Sequence, residues 1–219
     1  MIEITNPQGS PVWHQSRIGL VSGSRFKDIL TDPRSKTDKE AGILSATAES
    51  YMLELVAMIL TDQSPEIKAA ALDWGHENEP KARLEYEFIY DVDVAETGMF
   101  VRDCRKIGAS PDGLIGDDGM IEIKCPFNTV NHLRTVIDCQ MPKEHIPQVQ
   151  GNLWINGRKW CDFISYDPRV KTEKSLFVQR IYRDEEYINN ILAPKVQTFA
   201  DKLTDLLAEK FGINWQGLK

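Results

Sequence analysis

The chain has 219 residues, 42% hydrophobic and 27% charged, an ordinary balance for a water-exposed globular protein with one sizeable core. No apolar run approaches the ~20 residues a membrane helix needs, and Met1-Ile2-Glu3-Ile4 opens no signal peptide, so the cytoplasm is the expected setting. The formal charge of −7 excludes a general coat of nucleic-acid contacts, yet residues 17–39 carry +3 and leave −10 elsewhere, which fits a grip on nucleic acid at one place.

In chain order, Asn6 or Ser10 caps a short helix carrying Trp13, Arg17 and Ile18. Ser22-Gly23-Ser24 then caps a second helix with Phe26, Ile29 and Leu30 as its apolar face. Two hydroxyls near Arg17 and Arg25 form a ready phosphate site, with plain helix capping as the alternative. Residues 31–35 read as a loop and 45–60 as a long helix packed through Tyr51, Met52, Leu55, Val56 and Ile59. A further helix is expected over about 66–90, kinked or broken near 75–79, because Pro80 lacks a donor and crowds the carbonyl of His76.

Strands are expected over 92–99 and 100–107, a loop or short helix over 127–143, and a helix over 146–155. Strands follow over 160–166 and 176–182. From 184 onward, Ile188, Leu192, Val196, Phe199, Leu203 and Leu206 form an amphipathic stripe for internal packing or a subunit interface. Residues 1–219 therefore read as a single α/β domain, with a mixed central sheet flanked by helices. Cys104, Cys125, Cys139 and Cys161 have no paired C-x₂-C spacing and are expected as reduced, mostly buried thiols.

The chemistry concentrates between these elements. Gly113, Gly116 and Gly119, with Asp117 and Asp118, make a turn between two short strands. On the second strand Glu122 and Lys124 share one face, while Ile121 and Ile123 point into a core. A hairpin brings Asp112 beside Glu122, and two clustered carboxylates suit a hard divalent cation such as Mg²⁺. Lys124 is placed to hold or activate an attacking water. The pattern is that of a metal-dependent phosphodiesterase; the bland alternative is a surface hairpin bearing a Glu–Lys pair.

The motifs in order are Trp13-His14-x-x-Arg17-x-Gly19, Ser22-Gly23-Ser24, Trp74-Gly75-x-x-x-Glu79, Ser110-Pro111-Asp112-Gly113 and Glu122-Ile123-Lys124-Cys125-Pro126. Gln148-Val149-Gln150-x-x-Leu153-Trp154 and Tyr166-Asp167-Pro168-Arg169 continue them, so most of the chain is covered. Together they resemble the phage lambda exonuclease and YqaJ-type viral recombinase exonuclease family, within the restriction-endonuclease-like PD-(D/E)xK fold. The resemblance implies a processive 5′-to-3′ exonuclease that degrades one strand of linear double-stranded DNA and leaves 3′ single-stranded tails for recombination. It also implies Mg²⁺, with Mn²⁺ as substitute and two ions per site, a homotrimer, and a phage single-strand annealing protein as partner.

Carried onto this sequence, the resemblance makes Asp112 and Glu122 metal ligands together with the carbonyl of Ile123. Glu79 would reach the metal site, Lys124 would position the water, and Gln148 would bear on the water or the scissile phosphate. Arg17, Ser22, Ser24 and Ser110 would bind the 5′ phosphate, Arg34 would lie close to the DNA, and Leu72 would split the terminal base pair. Pro80, directly after Glu79, departs from the family pattern and bears on the second ion; nothing carries over onto 128–144. His76 is expected at the surface, and Trp13, Trp74, Trp154 and Trp160 in the core. The competing readings are a sequence-specific endonuclease, which would need an element reading a groove, and a DNA-end-binding subunit with a dead site.

Overall fold

A computed structural model describes residues 1–64 and 70–218, so the start of the helix expected over 66–90 lies outside the described residues. The chain opens with β1 (Ile2–Ile4) and α1 (Pro11–Ser16), where Ser10 accepts from the Trp13 amide. Arg17 is the C-cap of α1, so Ile18 falls beyond the helix expected to carry it. β2 (Val21–Ser22), a 3₁₀ turn over Gly23–Arg25, α2 (Phe26–Leu30), α3 (Lys36–Glu40), α4 (Ala46–Thr61) and α5 (Ala70–Tyr90) follow. Next come β3 (Met99–Val101), β4 (Ile107–Ala109), β5 (Gly113–Ile115), β6 (Gly119–Lys124), α6 (Thr129–Asp138) and a 3₁₀ turn over Lys143–His145. The rest is α7 (Ile146–Asn156), β7 (Trp160–Tyr166), β8 (Leu176–Tyr182), α8 (Glu185–Tyr187), a π-turn over Ile188–Leu192, and α9 (Ala193–Phe211).

The expected mixed α/β architecture flanked by helices is present, its strands divided between two four-stranded sheets, β1-β3-β4-β2 and β5-β6-β7-β8. Both are mixed, with β2–β4 and β6–β7 parallel and the other pairs antiparallel. A parallel pair needs a long crossover, and α6 with α7 supplies it between β6 and β7. β6 is consequently covered on both faces. Ile121 and Ile123 pack with Ala82 and Tyr86 of α5, whereas Met120 packs with Val149 and Leu153 of α7. Side-chain alternation then aims Glu122 at α7.

The largest core joins α2, α4 and α9 to the first sheet, with Tyr51 stacked on Phe199 at 5.5 Å. The C-terminal stripe is part of it, with Ile188, Leu192, Val196, Phe199 and Leu203 all buried. That supports the internal-packing reading.

Several expectations are corrected. The break expected near 75–79 does not occur: α5 stays helical through Pro80, because the proline removes one donor while Asn78, Ala82 and Tyr86 stay buried on either side of it. The strands expected over 92–99 and 100–107 shrink to β3 and β4, joined by a turn in which Arg105 takes φ 62°. Within 127–143 the helix α6 is ten residues long, capped by the Asn128 side chain. Ser22 makes no side-chain cap, so the capping alternative for that segment fails as well. Cys104 and Cys139 are exposed instead of buried. Of the four tryptophans expected in the core, Trp13 is buried; Trp74, Trp154 and Trp160 are half-buried, with Arg169, Arg102 and Arg180 over their rings.

Candidate active site

The β5–β6 hairpin places Asp112 opposite Glu122. Gly113 pairs with Ile121, the Asp112 amide donates to the Ile121 carbonyl at 3.2 Å, and the Ile123 amide donates to Asp112 Oδ2 at 2.6 Å. Gly113 is needed for this approach, since a Cβ there would sit 2.3 Å from Val94 Cγ1. A strand residue's N–H and C=O point to the same edge, so the Ile123 carbonyl also faces the Asp112 side.

Glu122 is 1% exposed and fully engaged. Lys124 Nζ lies 2.7 Å and Gln148 Nε2 2.5 Å from its Oε1, and Asn152 Nδ2 donates to its Oε2 at 2.9 Å. Burial pushes the Asp112 carboxyl upward against the pull of Lys124. Burial also raises Glu122 against Lys124, and the charge of Asp112 adds to the rise. Lys124 is raised in turn: burial opposes its charge, but Glu122 and Asp112 outweigh that. Glu79, on α5, is raised by burial and then by Asp112, which puts it within electrostatic reach of the pair. His145, stacked on Phe163 at 5.4 Å, is lowered to about 4 by burial and then by Lys124.

Among the described residues no group of three His, Cys, Asp or Glu side chains closes into a metal cage. The donor set nevertheless fits a hard cation. Asp112 and Glu122 converge with Glu79 nearby. Lys124, with Arg83 acting more weakly on Asp112 and Glu79, is the ammonium set among these three carboxylates, so the buried site stays rich in carboxylate oxygen. All these donors are oxygens, as Mg²⁺ and Mn²⁺ prefer.

A second cluster lies beside the first sheet. An Arg17 terminal nitrogen donates to Ser22 Oγ at 3.2 Å, and Ser22 Oγ lies 3.1 Å from Ser24 Oγ. Burial lowers the Arg17 pKa, its guanidinium lies 4.3 Å from the Trp13 ring centre, and no carboxylate pairs with it among the described residues. Val21 and Ser22 run parallel to Ile107 and Gly108, which brings Ser110, just past β4, to the same end of the sheet. Half of the basic residues of segment 17–39 are paired: Arg25 with Asp28 and Glu54, Lys36 with Glu40, and Lys39 with Asp32.

Arg34 is exposed, and no hydrogen bond or ion pair ties it to either cluster among the described residues. Leu72 is exposed in the first turn of α5, and His76 is exposed as expected. Asn152 is the residue that sequence reading missed. Its signal was available: Gln148 and Asn152 are four apart, on one face of α7. Beside Lys124 a cavity of about 480 Å³ opens, edged by Arg134, Lys143, His145 and Phe163.

Residues 12–159 match the YqaJ-like viral recombinase domain. The chain is similar to an alkaline exonuclease from Laribacter hongkongensis, LHK-Exo, at 37% identity over 89% of this chain and 92% of that one, with a TM-score of 0.77. The same enzyme in complex with dAMP aligns at 36% identity over 93% and 98%, with a TM-score of 0.81. A phage-related exonuclease from Haemophilus somnus 129PT, at 20% identity over 85% and 95% and a TM-score of 0.65, shares the fold. Among curated proteins none matches.

Proposed function

The chain belongs to the YqaJ-like viral recombinase family, with the restriction-endonuclease-like fold of its alkaline exonuclease relatives, and from that premise we propose a metal-dependent 5′-to-3′ DNA exonuclease. It degrades one strand of linear duplex DNA processively and leaves 3′ tails for a single-strand annealing partner in the host cytoplasm. The observation that carries this reading is the hairpin that sets Asp112 beside Glu122 and Lys124, with Gln148 of α7 donating to Glu122.

Asp112, Glu122, the Ile123 carbonyl and Glu79 would hold Mg²⁺, or Mn²⁺ in its place, as two ions. A cation held there would supply Lewis-acid neutralisation of charge on the scissile phosphate. Lys124, fixed by Glu122, orients the attacking water, and the Gln148 amide, two donors on a rigid plane, steadies the phosphate oxygens. Water attacks phosphorus, the P–O3′ bond breaks, and the shortened strand keeps a new 5′ phosphate. Arg17, Ser22, Ser24 and Ser110 then seat that phosphate, with Arg34 along the DNA and Leu72 against the terminal base pair. The dAMP carried by the related alkaline exonuclease is the class of product such a step releases.

Two unlike apolar faces support assembly. Leu84 and Phe88 are exposed on α5, and Val130, Leu133 and Ile137 on α6. Unlike patches on one chain suit a head-to-tail ring, here a homotrimer around DNA. No helix among the described residues is long and apolar enough to cross a membrane.

The test offers linear and closed-circular duplexes with Mg²⁺, with a chelator control and separate 5′ and 3′ end labels. Digestion of linear DNA alone, with the 5′ label released first, is expected. Cutting of circles would favour an endonuclease, and binding without cleavage a dead site.

A further inference from the structure

Asn152 touches two parts of the site that lie far apart in sequence. One end of its side-chain amide donates to Glu122 Oε2 at 2.9 Å, and the residue is 1% exposed. The other end rests on the turn that carries Ser22 and Ser24. Its Oδ1 lies 3.2 Å from where a Cβ of Gly23 would stand, and Ala109 Cβ closes in at 3.0 Å. Gly23 therefore lets the turn settle directly on the amide, with β4 behind it. An amide is planar and stiff, so a small displacement of the turn is passed to the oxygen that Glu122 presents.

We propose that Asn152 is a positioning residue that couples the anion pocket of Arg17, Ser22 and Ser24 to the Glu122 carboxylate. A phosphate drawn between Arg17 and the two hydroxyls holds the turn still, the turn holds Asn152, and Asn152 holds Glu122 in one orientation. Divalent cation binding at Glu122 is then tighter when the pocket is filled, and by reciprocity the phosphate is held more tightly when the cation is present. The coupling would let the site load for cleavage only when a strand end has been seated. It rests on the proposed cation site at Asp112 and Glu122.

The test reads cation affinity and needs no turnover. Mn²⁺ is titrated calorimetrically into the wild type with saturating dAMP and, separately, with deoxyadenosine. The phosphate is expected to tighten Mn²⁺ at least ~5-fold, the low end of common couplings. Arg17→Ala should abolish that gain, which separates the pocket from direct contact between phosphate and Mn²⁺. Asn152→Leu, close in volume but without donor or acceptor, should still bind dAMP and lose the gain. Gly23→Ala keeps both residues but presses a Cβ against Asn152 Oδ1, and should lose the gain while still binding dAMP, so the idea stays testable if the Asn152 variant folds poorly. A gain retained in both Asn152→Leu and Gly23→Ala overturns the coupling. Absence of Mn²⁺ binding in the wild type would remove the functional reading, and the coupling with it.

Discussion

Lys124 Nζ lies 2.7 Å from Glu122 Oε1 on the same face of β6, an ammonium and a carboxylate two residues apart and both largely shielded from water. A buried pair of this kind adds little net stability, because desolvation offsets most of the attraction. Its value is placement: the amine is held at the point where the water must be oriented.

Lys124→Ala should therefore lower the single-turnover cleavage rate by about 10²- to 10⁴-fold while DNA ends still bind. Asp112→Ala and Glu122→Ala should lose cation binding as well. Mn²⁺ should replace Mg²⁺, whereas Ca²⁺ should bind without turnover. Near-normal turnover of Lys124→Ala at saturating Mg²⁺ would remove the role assigned to the amine.

The metal-free protein should become less stable as pH rises. Burial, against Lys124 and with Asp112, lifts Glu122 from its ordinary 4.5 to about 8. A carboxyl raised on folding contributes stability that is whole below its unfolded value and lost as pH climbs through the folded one. Melting of chelated protein should accordingly fall between pH 5 and pH 8. Mn²⁺ should bind more tightly over the same window, as it replaces the proton. A flat melting profile together with pH-independent Mn²⁺ affinity would contradict the assignment.

End chemistry should matter. Losing one charge-assisted contact to phosphate costs about 1.5–3 kcal/mol, or roughly 10- to 150-fold. Duplexes ending in a 5′ hydroxyl should be digested more slowly than phosphorylated ones by a factor in that range. Arg17→Ala should erase the difference and shorten each processive run. Equal wild-type rates on the two ends would mean that the pocket does not bind the terminal phosphate.

Assembly should depend on the two apolar faces. Phe88 is 88% and Ile137 76% exposed, so replacing either with Glu removes no buried contact within the chain. Phe88→Glu or Ile137→Glu should each yield monomers by light scattering, with melting temperatures close to that of the unassembled wild type. A wild type that is monomeric at working concentrations would refute the ring.

The readable parts of this chain were those whose partners are close in sequence. β7 and β8 fall at the expected bounds because both are rich in aromatic and β-branched residues and closed by turns. Asp112, Glu122 and Lys124 were legible for a similar reason, since one tight hairpin sets them together. β1 was not, because three residues become a strand only by pairing with β3 across nearly half the chain. α6 was underestimated because Val130, Leu133 and Ile137 face outward, so its apolar stripe marks no core. The split into two sheets depends on long-range register, and Asn152 gains its place only when α7 packs over β6.

β5 has three residues, ends its sheet, and is held on its outer side by an isolated bridge between Leu114 and Ala95. Glu122 and Lys124 ride on the central strand next to it, but Asp112 rides at the margin. Margins of this kind open locally at a lower free-energy cost than the whole fold. Peeling β5 would carry Asp112 away from the Ile123 amide and leave the rest of the constellation standing. The hairpin should therefore fray before the rest of the sheet, with amide hydrogens at 112–115 trading with solvent well before those of β7. A cation held by Asp112 and Glu122 would work as a clasp, slowing that exchange for as long as it stays.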